Sequence, residues 1–269
     1  FLEEHKDEPF LLYLSHYAVH TPIQAKEEHI TKYKTKLAKM PSFKGARLVT
    51  EGRAKMLQVQ DNPTYAGMIQ SVDESVGRIM NKLEELGMAD NTVIIFMSDN
   101  GGESALGGPA TSNLPLRAGK GWLYEAGIRE PMIIKWPGVT ESGGVCSEPV
   151  TSTDFYPTML QMAGLPLRDK QHCDGVSLVP LLKGAPTLDR EAVFWHFPHH
   201  SPQGGVPSGA VRAGDYKLIE FYNSNRIELY NLKDDIGEKH NLTEKTPGKA
   251  KKLHQMLKTW RGKVDAQFP

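Results

Sequence analysis

Cysteine is nearly missing from this sequence: Cys146 and Cys173 are the two thiols in 269 residues. Two cysteines cannot build a disulfide framework, and their spacing does not fit a structural zinc site. A single bridge between them is left open, and with it the redox compartment. Long apolar runs are also absent. No stretch approaches the roughly 18 residues that a membrane-spanning helix requires, so no membrane span is expected. Net charge is absent too, with 32 basic residues against 32 acidic ones. That balance creates no field toward nucleic acid or an anionic membrane surface, and no nucleic-acid partner is expected. There are no internal repeats and no low-complexity tracts. The first residue is Phe1, and the opening FLEEHKDEPF has neither a basic n-region nor a cleavage pattern. The chain therefore reads as one entered partway through, with any signal peptide out of view.

What is present has the rhythm of an α/β protein. FLLYL (10–14) and TVIIFMS (92–98) are short continuous apolar runs of the kind that form strands buried on both faces. Between them, residues 26–62 are lysine-rich and read as a surface excursion with some helix. Residues 64–87 place Ile69, Val72, Val76, Ile79, Met80, Leu83 and Leu86 at steps of three and four, an amphipathic helix closed by Gly87. Helix followed by buried strand is the βαβ pattern. Residues 101–131 are rich in Gly and Pro without a period and read as a long functional loop. PMIIKWP (131–137) reads as a third strand, and 153–164 as a helix opening near Asp154 and ending at Gly164. After about residue 190 the texture changes to short β-rich runs, AVFWHF, GAVRAG, YKLIEFY and RIELYNL. NSN (223–225) stands as a hairpin turn between the last two. A final helix over 247–264 has Leu253, Met256, Leu257 and Trp260 on one face. The expected fold is α/β: part of a large mixed or parallel sheet flanked by helices, plus a small C-terminal antiparallel sheet with one helix. The expected boundary divides 1–190 from 191–269.

Four sets of residues could carry chemistry. Ser98-Asp99-Asn100-Gly101-Gly102 lies just beyond an apolar strand, where open α/β sheets place their ligands. Asp99 offers a carboxylate and Asn100 an amide oxygen, hard donors suited to Ca²⁺ or Mg²⁺. Taken alone, the same letters are a strong turn signal. Gly119-Lys120-Gly121 gives a lysine little local bulk, so that its ammonium can meet an anionic oxygen. By itself it is equally a solvated surface lysine. His16 and His20 stand in the loop SHYAVHTPIQ, where a histidine can hold an anion or protonate a leaving group. Trp195-His196-Phe197-Pro198-His199-His200 is too tightly spaced for zinc. With the following SPQGGVPSG loop, it suits a pocket rim that meets sugar through His196 and His199.

Each of these is weak alone, but their order and wording are specific. FLLYLSHYAVHTPIQ, SVDESVGRIMNKLEELGMADNTVIIFMSDNGG, PLRAGKGWLYEAGIREPMIIKWPG, TSTDFYPTMLQMAGLP, DGVSLVPLLKG, GDYKLIEFY and ELYNLKDDIGEKHNL together resemble the sulfatases of the alkaline phosphatase superfamily. The resemblance covers nearly the whole chain apart from residues 26–62. It implies hydrolysis of a sulfate ester by a formylglycine held on a calcium ion, in preference to magnesium. Asp99 and Asn100 match the family's metal ligands. Lys120 matches the lysine that contacts sulfate. His20 matches the histidine that contacts sulfate and protonates the leaving oxygen; His16 has no secure counterpart, and Val19 stands where many relatives have proline. The substrate class implied is a sulfated small molecule or glycan, and the compartment is periplasmic, secreted or lysosomal. The glycosylation sequon Asn241-Leu242-Thr243 bears on this only for a secreted eukaryotic protein.

One departure matters. The family's formylglycine arises within C/S-x-P-x-R, and that motif occurs nowhere in this sequence; Cys146 begins CSEPV and Cys173 begins CDGVS. The resemblance places the motif, an Asp-Asp pair of metal ligands and a sulfate-binding Arg in an amino-terminal half, the expected partner of this chain. Calcium takes about six to eight oxygens, more than Asp99 and Asn100 supply. The chain alone is therefore expected to bind metal weakly and to be inactive. Two other functions fit the same residues: a phosphoester or phosphonate hydrolase of the same superfamily, and an inactive module that binds sulfated glycans.

Overall fold

The computed structural model describes residues 1–105, 110–224 and 226–269. It divides into two compact units: Phe1–Ile133 with Pro202–Gly204, and Ile134–Ser201 with Gly205–Pro269. The change of sequence texture near residue 190 therefore marks a change of element type, whereas the units divide earlier, after Ile133. The expected α/β class is present, as is the small antiparallel sheet with its C-terminal helix.

In the first unit, α1 (Glu27–Leu37) packs on α2 (Pro63–Glu85). The start of α2 is written in its sequence: Asn62 Oδ1 accepts from the amides of Thr64 and Tyr65, both at 3.1 Å, and Pro63 follows as first helical residue. Gly87, at φ 67°, takes the left-handed position just past its end. Between the helices, residues 48–57 form a hairpin that the periodicity did not reveal. β1 (Leu48–Glu51) pairs antiparallel with β2 (Ala54–Leu57), turning at Gly52. Next come β3 (Ile94–Met97) and the four-residue α3 (Glu125–Ile128). β4 (Met132–Lys135), which pairs with β3, begins in this unit.

The expectation of a buried strand at FLLYL is corrected. Residues 10–14 have no strand conformation, and Leu11 and Tyr13 are 75% and 89% exposed. An apolar run becomes a strand only when a neighbour supplies hydrogen bonds along it. No described residue pairs with this one.

In the second unit, α4 (Phe155–Met162) opens at Asp154 and ends before Gly164 (φ 67°), as the sequence predicts. Asp154 is fully buried and fully engaged. Its Oδ2 accepts from the Thr151 amide at 2.8 Å. Its Oδ1 accepts from the Val176 amide at 3.0 Å and the Arg190 guanidinium at 2.7 Å. One carboxylate thus ties residues 151, 176 and 190 together across α5 (Val179–Leu182).

The antiparallel sheet runs β5 (Val193–Phe197), β6 (Ser208–Ala213), β7 (Tyr216–Phe221), β8 (Arg226–Asn231), each strand beside the next. The NSN turn includes Asn225, which lies outside the described residues. α6 (Pro247–Lys263) lies on this sheet, and Leu253 and Leu257 meet Val211, Leu218 and Leu229 in its core. Trp260 stacks on Phe194 at 5.0 Å. Cys146 and Cys173 are both exposed and free, so no disulfide reinforces this unit.

At one edge of that core Glu220 faces His254 Nε2 at 3.0 Å and Arg261 Nη1 at 2.5 Å. Burial pushes its carboxyl up, but the hydrogen bonds and charges of His254 and Arg261 outweigh burial and hold it below the ordinary 4.5. A carboxyl lowered in the folded state contributes stability above its unfolded value, and that contribution is lost as pH falls through the lowered value. Glu220→Gln is therefore expected to be destabilising near neutrality and to flatten the acid limb of stability below about pH 4.5. Thermal unfolding of both proteins across that range checks this.

Candidate active site

The sequence segments singled out above, DNGG and GKG, meet as one backbone frame, and glycine is what lets them meet. The Gly101 amide donates to the Gly127 carbonyl at 3.4 Å, and a Cβ at Gly101 would land on the Ala126 carbonyl oxygen. The Lys120 amide donates to the Gly102 carbonyl at 3.2 Å, which binds the lysine loop directly to the strand-end loop. A Cβ at Gly119 would meet Ser104 Oγ and the Gly102 carbonyl oxygen at 2.5 and 2.6 Å. At Gly127 it would collide with the carbonyl oxygen of Trp122. Only residues without a side chain allow backbones this close.

Two residues that sequence reading missed pin the frame. Asn113 Nδ2 donates to the carbonyls of Gly102 and Ala118 at 2.9 and 3.2 Å, and Ser104 Oγ donates to the same Ala118 carbonyl at 3.0 Å. Ala118 has a left-handed φ of 65°, a strained position for alanine that these bonds hold. No local pattern marks Asn113, because its partners lie 11 and 5 residues away. Asn113→Ala removes one of the two donors to each of these carbonyls and is expected to cost about 1–3 kcal/mol for the two hydrogen bonds lost. Urea unfolding measures that loss.

Around the frame, Arg117 pairs with Glu51 through Nε and Nη2, both at 2.8 Å, and lies 3.9 Å from the Tyr124 ring centre. Trp122 stacks on Tyr124 and donates its Nε1–H to the Gln203 carbonyl at 3.0 Å. Gln203 in turn donates to Glu103 at 2.9 Å. The segment Pro202–Gly204 thus belongs to the packing beside the lysine loop.

The functional groups on this frame have few internal partners. Asp99 is exposed at the carboxyl end of β3, and no hydrogen bond or ion pair involves its side chain among the described residues. Asn100 donates its amide N–H to the Gly101 carbonyl at 3.1 Å, an orientation that leaves Oδ1 for another partner. Lys120 is partly buried between Gly119 and Gly121, and its ammonium makes no ion pair among the described residues. Glu130, which was not anticipated, lies two residues before β4. Burial, and then the charge of Asp99, push its carboxyl up to about 7. Among the described residues no three His, Cys, Asp or Glu side chains cluster as a complete metal site. The chain therefore offers a partial set of hard oxygen donors, suited to Ca²⁺ rather than to a thiophilic metal.

No described contact joins His16 or His20 to the frame. His20 is exposed on its own loop, with Nδ1 2.9 Å from the Thr21 carbonyl and its ring 5.4 Å from Tyr17. No described contact joins it to Asp99 or Lys120. His16 Nε2 lies 3.0 Å from Ser75 Oγ. His196 lies in the second unit, in strand β5. Its Nδ1 is 2.7 Å from Tyr222 Oη and its Nε2 2.8 Å from the Gln267 carbonyl. Both ring nitrogens are thus engaged within that unit. His199 is exposed, with its ring 5.7 Å from Phe197.

Comparison with known proteins identifies the family. The sulfatase family model matches residues 1–165, more than half the chain. The chain belongs to the sulfatase family. A second model, N-sulphoglucosamine sulphohydrolase, C-terminal, matches residues 118–263. A sulfatase of Formosa agariphila is 35% identical over 97% of this sulfatase chain, which spans 47% of that relative. The crystal structure of Ps i-CgsB in complex with k-i-k-neocarrahexaose superposes with a TM-score of 0.77 at 30% identity. That likeness covers 94% of this chain and 50% of the other. A further structure, solved in complex with its substrate D-glucosamine-2-N,6-O-disulfate, gives a TM-score of 0.64 at 28% identity, covering 77% of this chain and 41% of the other. The sulfatase chain thus spans about half the length of the relatives it matches. No helix of the described residues is long and apolar enough to cross a membrane.

Proposed function

We propose that this sulfatase chain is the carboxy-terminal part of a sulfuric ester hydrolase that acts on sulfated carbohydrate. The observation that supports the reading is the glycine frame, in which the Lys120 amide bonds to the Gly102 carbonyl and so joins the lysine loop to the loop that carries Asp99 and Asn100. The carbohydrate class is supported by the two solved relatives, one in complex with neocarrahexaose and one with a disulfated glucosamine.

In this reading Asp99 and Asn100 hold calcium by oxygen, and Lys120 neutralises a sulfate oxygen. Calcium, when bound, supplies charge stabilisation for the sulfuryl group and its nucleophile. His20 protonates the leaving oxygen. The nucleophile is a formylglycine supplied by the amino-terminal half, together with further calcium ligands. The compartment is periplasmic, extracellular or lysosomal.

Two measurements test this. The coding sequence upstream of Phe1 is expected to contain C/S-x-P-x-R, with formylglycine at its first position by peptide mass. The full-length polypeptide is expected to release sulfate from a sulfated saccharide faster than it releases phosphate or phosphonate from matched monoesters. Preference for phosphonate would move the protein to its phosphonate-hydrolysing relatives. Saccharide binding without release would make it a binding module.

A further inference from the structure

Glu130 is the group that the site as described does not use. Its neighbour Pro131 accepts the Ser98 amide through its carbonyl at 3.2 Å, so Asp99 and Glu130 flank a single hydrogen bond between β3 and the start of β4. Glu130 Oε1 has essentially no accessible surface and accepts no hydrogen bond. A buried carboxyl oxygen without a donor is costly, because the water it gave up is not replaced. The neighbouring carboxylate, Asp99, adds like-charge repulsion. Nearby cations are directed elsewhere: Arg129 to Glu125 at 3.6 Å, and Arg117 to Glu51. No ion pair to Glu130 exists among the described residues.

Two neighbouring carboxylates, one of them with an orphaned buried oxygen, are relieved by a proton or by a cation that joins them. We propose that Glu130 is a further carboxylate of the metal edge, facing the calcium that Asp99 and Asn100 present. The proposal rests on the metal reading of Asp99 and Asn100. It adds one acidic side chain to the donor set, in the direction that an oxygen-hungry ion requires. It also accounts for an acidic residue directly before a proline at the start of a strand, where no local backbone role calls for one.

Calorimetric calcium binding and metal-free thermal melting of the full-length polypeptide, with Asp99→Asn and Glu130→Gln, test it. Glu130→Gln is expected to weaken calcium binding about 10- to 100-fold, the range typical when a group supporting a metal is lost. Without metal the same variant is expected to melt at or above the wild type, because a like charge has been removed. A merely structural Glu130 gives the opposite pattern, lower metal-free melting with unchanged affinity, and that result overturns the proposal. If Glu130→Gln does not fold, Glu130→Asp decides: weakened calcium binding with unchanged melting supports the proposal, and unchanged affinity overturns it. Loss of binding in Asp99→Asn alone would overturn the role of Glu130 and leave the sulfatase reading standing. Absence of calcium binding in the wild type, with no sulfate release, would remove both.

Discussion

Gly101→Ala is expected to destabilise the first unit by about 3 kcal/mol or more, the upper end of what overpacking costs. The added methyl would fall on the Ala126 carbonyl oxygen, which is backbone and cannot rotate away. Relief requires parting the strand-end loop from Gly127, and that also moves Asp99 and Asn100. Stability should therefore fall and, on the proposed metal role of Asp99 and Asn100, calcium binding by the full-length polypeptide should fall with it. Gly77, in the interior of α2, has open space around its would-be Cβ. Gly77→Ala is the control, expected to add about 0.5–1 kcal/mol through helix propensity. The same chemical change thus has opposite signs at two positions, and denaturant unfolding of both variants checks it. Equal effects at the two sites would contradict the frame.

The second large effect is expected in the other unit. Lys217 on β7 and Glu238 are both fully buried and pair at 2.9 Å. Lys217→Met keeps the apolar stem and removes the charge, so the buried Glu238 carboxylate loses the Lys217 ammonium. Breaking a buried pair from one side costs about 3–5 kcal/mol, a large share of the 5–15 kcal/mol that holds an ordinary domain together. Replacing both, Lys217→Met with Glu238→Leu, is expected to recover most of the loss, since the desolvation cost of both charges then vanishes. Unfolding curves for the two single variants and the double variant measure the coupling. A single variant as stable as wild type would show that the pair is solvated.

What could be read from the sequence was whatever depends on local chemistry. α2, α4 and α6 follow from apolar spacing together with Asn62, Pro63, Asp154 and the stops at Gly87 and Gly164. The four-stranded sheet follows from short β-rich runs separated by turns. FLLYL was misread because a strand is a property of a pair. Its apolar letters state a preference that no described neighbour fulfils. The β1–β2 hairpin was passed over because its exposed strand, Leu48–Glu51, sits in a lysine-rich stretch without apolar alternation. Leu48-Val49-Thr50 followed by Gly52 was the available signal.

The site divides in the same way. Asp99, Asn100 and Lys120 were visible as motif letters, and their glycines as permission for close approach. That the two glycine motifs interlock is a long-range fact: Lys120 bonds to Gly102 across 18 residues. Asn113 and Glu130 carry no local signature, because their roles depend on carbonyls and a carboxylate that only folding brings near.

The most direct test of the account is sulfate release from an aryl sulfate by the purified 269-residue chain, measured beside the full-length polypeptide with calcium present. The account predicts turnover by the full-length protein and none by the chain, because the chain has the Asp99, Asn100 and Lys120 edge but no C/S-x-P-x-R nucleophile. Turnover by the 269-residue chain alone, abolished by Asp99→Ala, would contradict it and would place the nucleophile within these residues.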